Sequence, residues 1–131
     1  MGAKGLDDYR VPIAWMESRL SAVPAPSPLG RHYLSNALGG LLLRAGRLDE
    51  AIARIQEGLA AATDMQIPTD WTYLALAHAR KGKLAEARQM LERVRDWRPV
   101  SSTTYWDLQA LALLRGEAEA LVGSGKEKAK K

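Results

Sequence analysis

Apolar residues recur along this chain at the three-and-four spacing of helices. Leu6, Tyr9, Ile13, Met16 and Leu20 form one stripe at intervals of 3, 4, 3 and 4, which predicts an amphipathic helix over 6–20. Pro12 lies inside the stripe, so the regular part is expected to begin near Asp7 or Asp8, whose carboxylates suit a first turn, or at Pro12 itself. Pro24, Pro26 and Pro28 deprive 21–30 of backbone donors, which predicts an extended, polyproline-like spacer. A helix is expected over 31–45, closed at Gly46, and a second over 48–63. After a short connection at 64–67, Pro68, Thr69 and Asp70 open a third over 69–81, which stops at Gly82. Leu84, Ala87, Leu91 and Val94 share one face of a fourth over 84–97, and Pro99 forbids its continuation. The segment 101–122 holds a last helix, with capping hydroxyls at its start and a face drawn by Tyr105, Leu108, Leu111, Ala112, Ala118 and Leu121. Gly116 is a place for it to kink.

Two of these helix pairs repeat each other. With a constant offset of 36, Leu38 falls on Leu74, Gly46 on Gly82, Leu48 on Leu84, Glu50 on Glu86, Ala51 on Ala87 and Ile55 on Leu91. Self-similarity of a helix–turn–helix at such a period marks a helical repeat. The small residues have a packing reason: Gly39 or Ala75 on one helix and Ala51 or Ala87 on the next let two backbones approach closely. Larger side chains there would push them apart.

The pair resembles tetratricopeptide repeats, whose pattern is W-x2-L-G-x2-Y, then A-x3-F, then P. The second copy, at about 68–99, reads Trp71-x2-Leu74-Ala75-x2-His78, Gly82, Ala87-x3-Leu91 and Pro99. The first, at about 32–65, reads Ser35-x2-Leu38-Gly39-x2-Leu42, Gly46 and Ala51-x3-Ile55, with Thr63 where the proline belongs. Departures are Ser35 for the aromatic, Leu42 and His78 for the tyrosine, and Gly58 near the end of the second helix. The stretch 70–82 is also similar to repeats at the ends of large bacterial signalling proteins, some serine/threonine kinases among them. The resemblance implies an all-α, helical-repeat superhelix of two hairpins at 31–99. Two repeats fall short of the about three that a solenoid needs, so the helices within 6–20 and 101–122 are expected to cap its ends.

Composition narrows the class further. The chain is 47% hydrophobic and 26% charged, with no Phe and an excess of Leu and Ala, which suits one soluble domain of packed helices over 1–131. There is no cysteine, so disulfides and thiolate metal sites are excluded. No apolar run approaches the about 18 residues of a membrane span, and the N-terminus lacks the run of a signal peptide, so a cytoplasmic location is expected. The net charge of +4 is mostly the tail 123–131, read as flexible, which carries +3 of it.

The resemblance implies a concave groove lined by the first helices of the repeats and filled by a peptide or helix of a protein partner. Its lining would be Tyr33, Asn36, Gly40, Leu43 and Arg44, then Thr69, Thr72, Leu76, Ala79 and Arg80, with Trp106 from the last helix. Arg44 and Arg80 would hold a partner's carboxylates or C-terminus by charge-assisted bonds; the alternative is that each is only a cation at a helix C-terminus. Around 80–98, seven Arg and Lys stand against three acids, either a docking patch for an acidic partner or nucleic acid, or a solvated helix face. Nucleic acid is disfavoured, because repeat proteins that read RNA use many modules.

His78 occupies a position usually filled by Tyr and is expected to be packed and hydrogen-bonded rather than catalytic. The paired acids Asp7/Asp8, Asp49/Glu50 and Glu117/Glu119 suit helix starts and solvated turns, and the four Trp are expected as plugs or cap contacts. No catalytic constellation, cofactor motif or metal-ligand spacing is present. The reading is a non-enzymatic interaction scaffold without cofactor. Its alternatives are a self-associating structural module and a regulatory domain of a larger signalling enzyme.

Overall fold

A computed structural model describes residues 8–22, 24–61, 68–99, 103 and 105–130, with 124–130 described by backbone alone. Among these residues the secondary structure is wholly helical: α1 (Arg10–Leu20), α2 (Pro28–Arg44), α3 (Leu48–Ala61), α4 (Pro68–Arg80), α5 (Leu84–Asp96) and α6 (Tyr105–Lys130). The chain divides into two compact units, Met1–Gln66 and Ile67–Lys131, and the division falls between the two sequence repeats.

In the first unit α2 packs against α1 and against α3. The start of α1 is set by Asp8, whose carboxylate accepts from the Arg10 backbone N–H (3.2 Å) and from Arg10 Nε (3.0 Å). The Arg10 guanidinium holds that carboxyl down at about 2. Pro12 sits in the first turn, where its missing N–H would have had no partner. Ile13 and Leu20 are buried, seven apart on the predicted stripe.

Helix α2 begins three residues earlier than the proline spacing suggests. Ser27 is its N-cap, accepting from Gly30 N (3.1 Å), and Pro28 takes the first helical position. The extended spacer therefore ends at Ser27, because proline at that position costs no hydrogen bond and its fixed φ already suits a helix.

The α2–α3 hairpin is a close approach of two backbones. A Cβ added at Gly39 would overlap Ile55 Cγ1 and lie 3.5 Å from the Ala51 carbonyl oxygen. One added at Gly58 would lie 3.0 Å from Ser35 Cβ and 3.3 Å from the His32 carbonyl oxygen. Leu38, Leu42, Ala51 and Ile55 fill the seam and are at most 1% exposed. Buried His32 joins the helices through Nδ1, which donates to the Gly58 carbonyl oxygen (3.1 Å). Because that oxygen can only accept, Nδ1 is the donor of this bond. Glu57 adds a bridge, accepting from Arg31 of α2 (3.1 Å) and Arg54 of α3 (3.0 Å).

In the second unit α4, α5 and α6 pack on one another pairwise. Leu74, Ala75, Leu76 and Ala77 of α4, Ala87 and Val94 of α5, and Leu111, Ala118 and Val122 of α6 are buried. The buried face of α6 keeps Leu111 and Ala118 of the predicted one and adds Val122, while Ala112 is exposed and Tyr105 and Leu108 are 65% and 38% exposed. This helix runs unbroken past Gly116 to Lys130, over residues read as a flexible tail. Lysine, glutamate and alanine are good helix formers, and cations are favoured at a helix C-terminus. The end of the 48–63 helix, the connection at 64–67 and the hydroxyls of Ser101, Ser102 and Thr104 lie outside the described residues.

The turn closing each hairpin's first helix is the same object twice. Gly46 N–H donates to the Leu43 carbonyl oxygen (3.1 Å) and Arg47 N–H to that of Leu42 (2.9 Å). Thirty-six residues on, Gly82 donates to Ala79 (3.0 Å) and Lys83 to His78 (2.8 Å). Both glycines have φ of 81°, the left-handed region that this helix ending requires. A Cβ at Gly82 would meet nothing within 4 Å, so Gly82→Ala costs only backbone strain. The expected loss is about 1 kcal/mol, smaller for Gly82→Asn, measured by urea denaturation. Equal stability of the alanine variant and wild type would contradict it.

Candidate functional site

The residues expected to line a groove fall on three helices, α2 in the first unit and α4 and α6 in the second. On α2, Tyr33 is 58% exposed, Asn36 is half-buried, Gly40 and Leu43 are buried, and Arg44 at the helix end is exposed. The stripe thus opens to solvent only at its ends, because α2 is packed by both α1 and α3. On α4, Thr69 is half-buried, while Thr72 and Leu76 are 0% and 1% exposed. The Thr72 hydroxyl is turned back onto the Pro68 carbonyl oxygen (2.8 Å).

Arg80 extends to α6 and donates through Nη2 to Glu117 Oε1 (2.9 Å). Its guanidinium is thereby spent on tying α4 to α6, a role that the sequence spacing does not reveal. Thr72 and Leu76 are covered by the protein itself, since α4 is packed by α5 and α6. Exposed among these residues are Tyr33 and Arg44 in the first unit and, in the second, Trp106, 77% exposed, and Arg80, which is paired with Glu117. Trp106 stacks edge-on against Tyr105, with centroids 5.3 Å apart. Trp15 is also 56% exposed, so two of the four tryptophans stand on the surface rather than plugging the core.

The second unit carries a groove between the end of α5 and the middle of α6. It has a volume of about 420 Å³, with Val94, Leu108, Leu111 and Ala112 on its apolar floor and Arg95, Arg98 and Arg115 around it. A second hollow of about 310 Å³ shares Arg95, Arg115 and Glu119 with the first and adds Arg88, Leu91 and Glu92. Arg98 is held in place through Nη1, which donates to the carbonyl oxygens of Arg95 (2.9 Å) and Trp97 (3.1 Å). Arg115 Nε donates to Glu119 Oε1 (2.7 Å) one turn on. The sequence signal for this groove was the arginine-rich run at 80–98. Its partner wall on α6 was hidden because Leu108 and Ala112 read as core-facing.

His78 differs from expectation in its bonding. Its Nδ1 is buried with no hydrogen-bond partner among the described residues. Burial lowers its pKa below the usual 6.5; Glu86 opposes this, and Lys83 and Lys81 reinforce it. The folded protein therefore binds this proton less readily than the unfolded chain. The contribution to stability is present in full above the unfolded value and is lost as pH falls through it toward the folded value. Urea midpoints measured between about pH 8 and about pH 5 are expected to fall less for His78→Tyr, which does not titrate there, than for wild type. Identical slopes would contradict this.

Among the described residues no group of three His, Asp or Glu side chains is placed to hold a metal ion, and no helix is long and apolar enough to cross a membrane. Comparison with protein-family models, with curated proteins and with solved structures finds no match.

Proposed function

We propose that the protein is a non-enzymatic binding module, built of tetratricopeptide-like hairpins, that holds a partner protein on exposed helix faces. The reading rests first on Trp106 and Leu113 of α6. They are 77% and 78% exposed and seven residues apart, so they lie on one side of the helix as an uncovered apolar strip two turns long. The repeated glycine turns and the small-residue approach in the first hairpin support the repeat resemblance. The arginine-rimmed groove supplies polar contacts beside apolar ones, the mixture that interfaces use.

Self-association would use the same strip differently. Sedimentation of the purified protein over a wide concentration range separates the two readings. A monomer throughout is expected. A reversible dimer abolished by Trp106→Ser/Leu113→Ser would contradict the proposal and assign the strip to a second copy of the chain.

A further inference from the structure

The groove between α5 and α6 has a charge pattern that selects its occupant. Four arginines line the two adjoining hollows against two glutamates, and one of those, Glu119, is already engaged by Arg115. The oxygens that fix Arg98 are neutral carbonyls, not carboxylates. Arg88 and Arg95 are exposed and seven residues apart on α5, about 10 Å along the helix at 1.5 Å per residue. Between the arginines lies an apolar floor, in a cleft whose size falls within the about 300–1,000 Å³ of ligand-binding sites.

We propose that this groove binds an acidic amphipathic helix of a partner protein. Apolar side chains of that helix rest on Val94, Leu108, Leu111 and Ala112. Its carboxylates, two turns apart, meet Arg88 and Arg95 and are joined by Arg98. Helix-in-groove recognition needs this combination of anchors at helical spacing and flanking charge. A nucleic-acid strand fits worse, since Trp97 is the one aromatic side chain lining the groove on which a base could stack and the rest of its uncharged lining is aliphatic. The inference rests on the binding-module reading and names the partner for one of its faces.

Gly116 supplies a clean probe. It lines the groove, and a Cβ there meets nothing within 4 Å, so Gly116→Leu adds bulk at the groove from a position with room for its Cβ and favours the helix. Displayed random peptides of about twelve residues, enough for two spanning turns, are selected on the immobilised protein. Expected enrichment is for apolar residues at three-and-four spacing flanked by Asp and Glu. The best peptide, synthesised and labelled, should bind Gly116→Leu and Arg88→Glu/Arg95→Glu proteins at least about tenfold more weakly than wild type, at unchanged helicity.

Selection without acidic bias, no enrichment at all, or equal binding to Gly116→Leu would overturn the inference. So would a single-stranded oligonucleotide that binds in a Gly116→Leu-sensitive way, which would give the groove to nucleic acid. If partner capture depends on Trp106 and Leu113 while no peptide selects this groove, the groove inference alone has failed. A dimer in sedimentation that Trp106→Ser/Leu113→Ser abolishes would instead remove the reading beneath it.

Discussion

Gly39→Ala is expected to destabilise the protein by about 1–3 kcal/mol, toward the upper end, although it adds one methyl group to a helix and improves helix propensity. The reason is local: the new Cβ would overlap Ile55 Cγ1, and Ile55 is 0% exposed with the Ala51 backbone beside it. Neither helix can give way without opening the seam. Ile55→Ala alone leaves a cavity and is expected to cost about 2–5 kcal/mol. The double variant is expected to cost less than the sum by on the order of 1–2 kcal/mol, since each change relieves the other. Urea denaturation of the four proteins measures this coupling. Additive losses would mean that Gly39 does not face Ile55.

Ala87→Leu is expected to cost about 1–3 kcal/mol by overpacking in the second hairpin. Ala87 is 0% exposed on α5, which has both α4 and α6 packed against it, so three added carbons have no solvent to enter. Ala85→Leu, two residues away on the exposed side of α5, is the control and should melt like wild type. Equal melting of both variants and wild type would remove the shared register of Ala51 and Ala87.

The helices and their stops were legible because they are written in local chemistry. Gly46 and Gly82 mark the same turn, and the stripe of Leu84, Ala87, Leu91 and Val94 gives the covered side of α5. Pro28 misled the eye, since a proline that closes a spacer and one that opens a helix look alike until Ser27 is seen to cap the next turn. Ser35 and Gly58 each read as a lapse from the repeat pattern. In space they are matched: the backbone of Gly58 comes so near Ser35 that an aromatic at 35 would not fit. Partnership across helices was the hardest feature to read. Spacing put Arg80 on a groove, whereas Glu117, thirty-seven residues on, claims it. The groove on α5 and α6 stayed hidden for the same reason, its two walls being distant in sequence and one of them drawn as core.

Arg80 is also unsuited to charge reversal as a test of binding, because Arg80→Glu would set two acids against each other between α4 and α6. Trp106 and Leu113 are better placed, being exposed. The decisive measurement is affinity capture from cell lysate by wild-type protein and by Trp106→Ser/Leu113→Ser, with melting shown to be unchanged. A partner protein held by wild type and lost from the variant is the predicted result. The same proteins held by both, or no protein held other than further copies of the chain, would contradict the account.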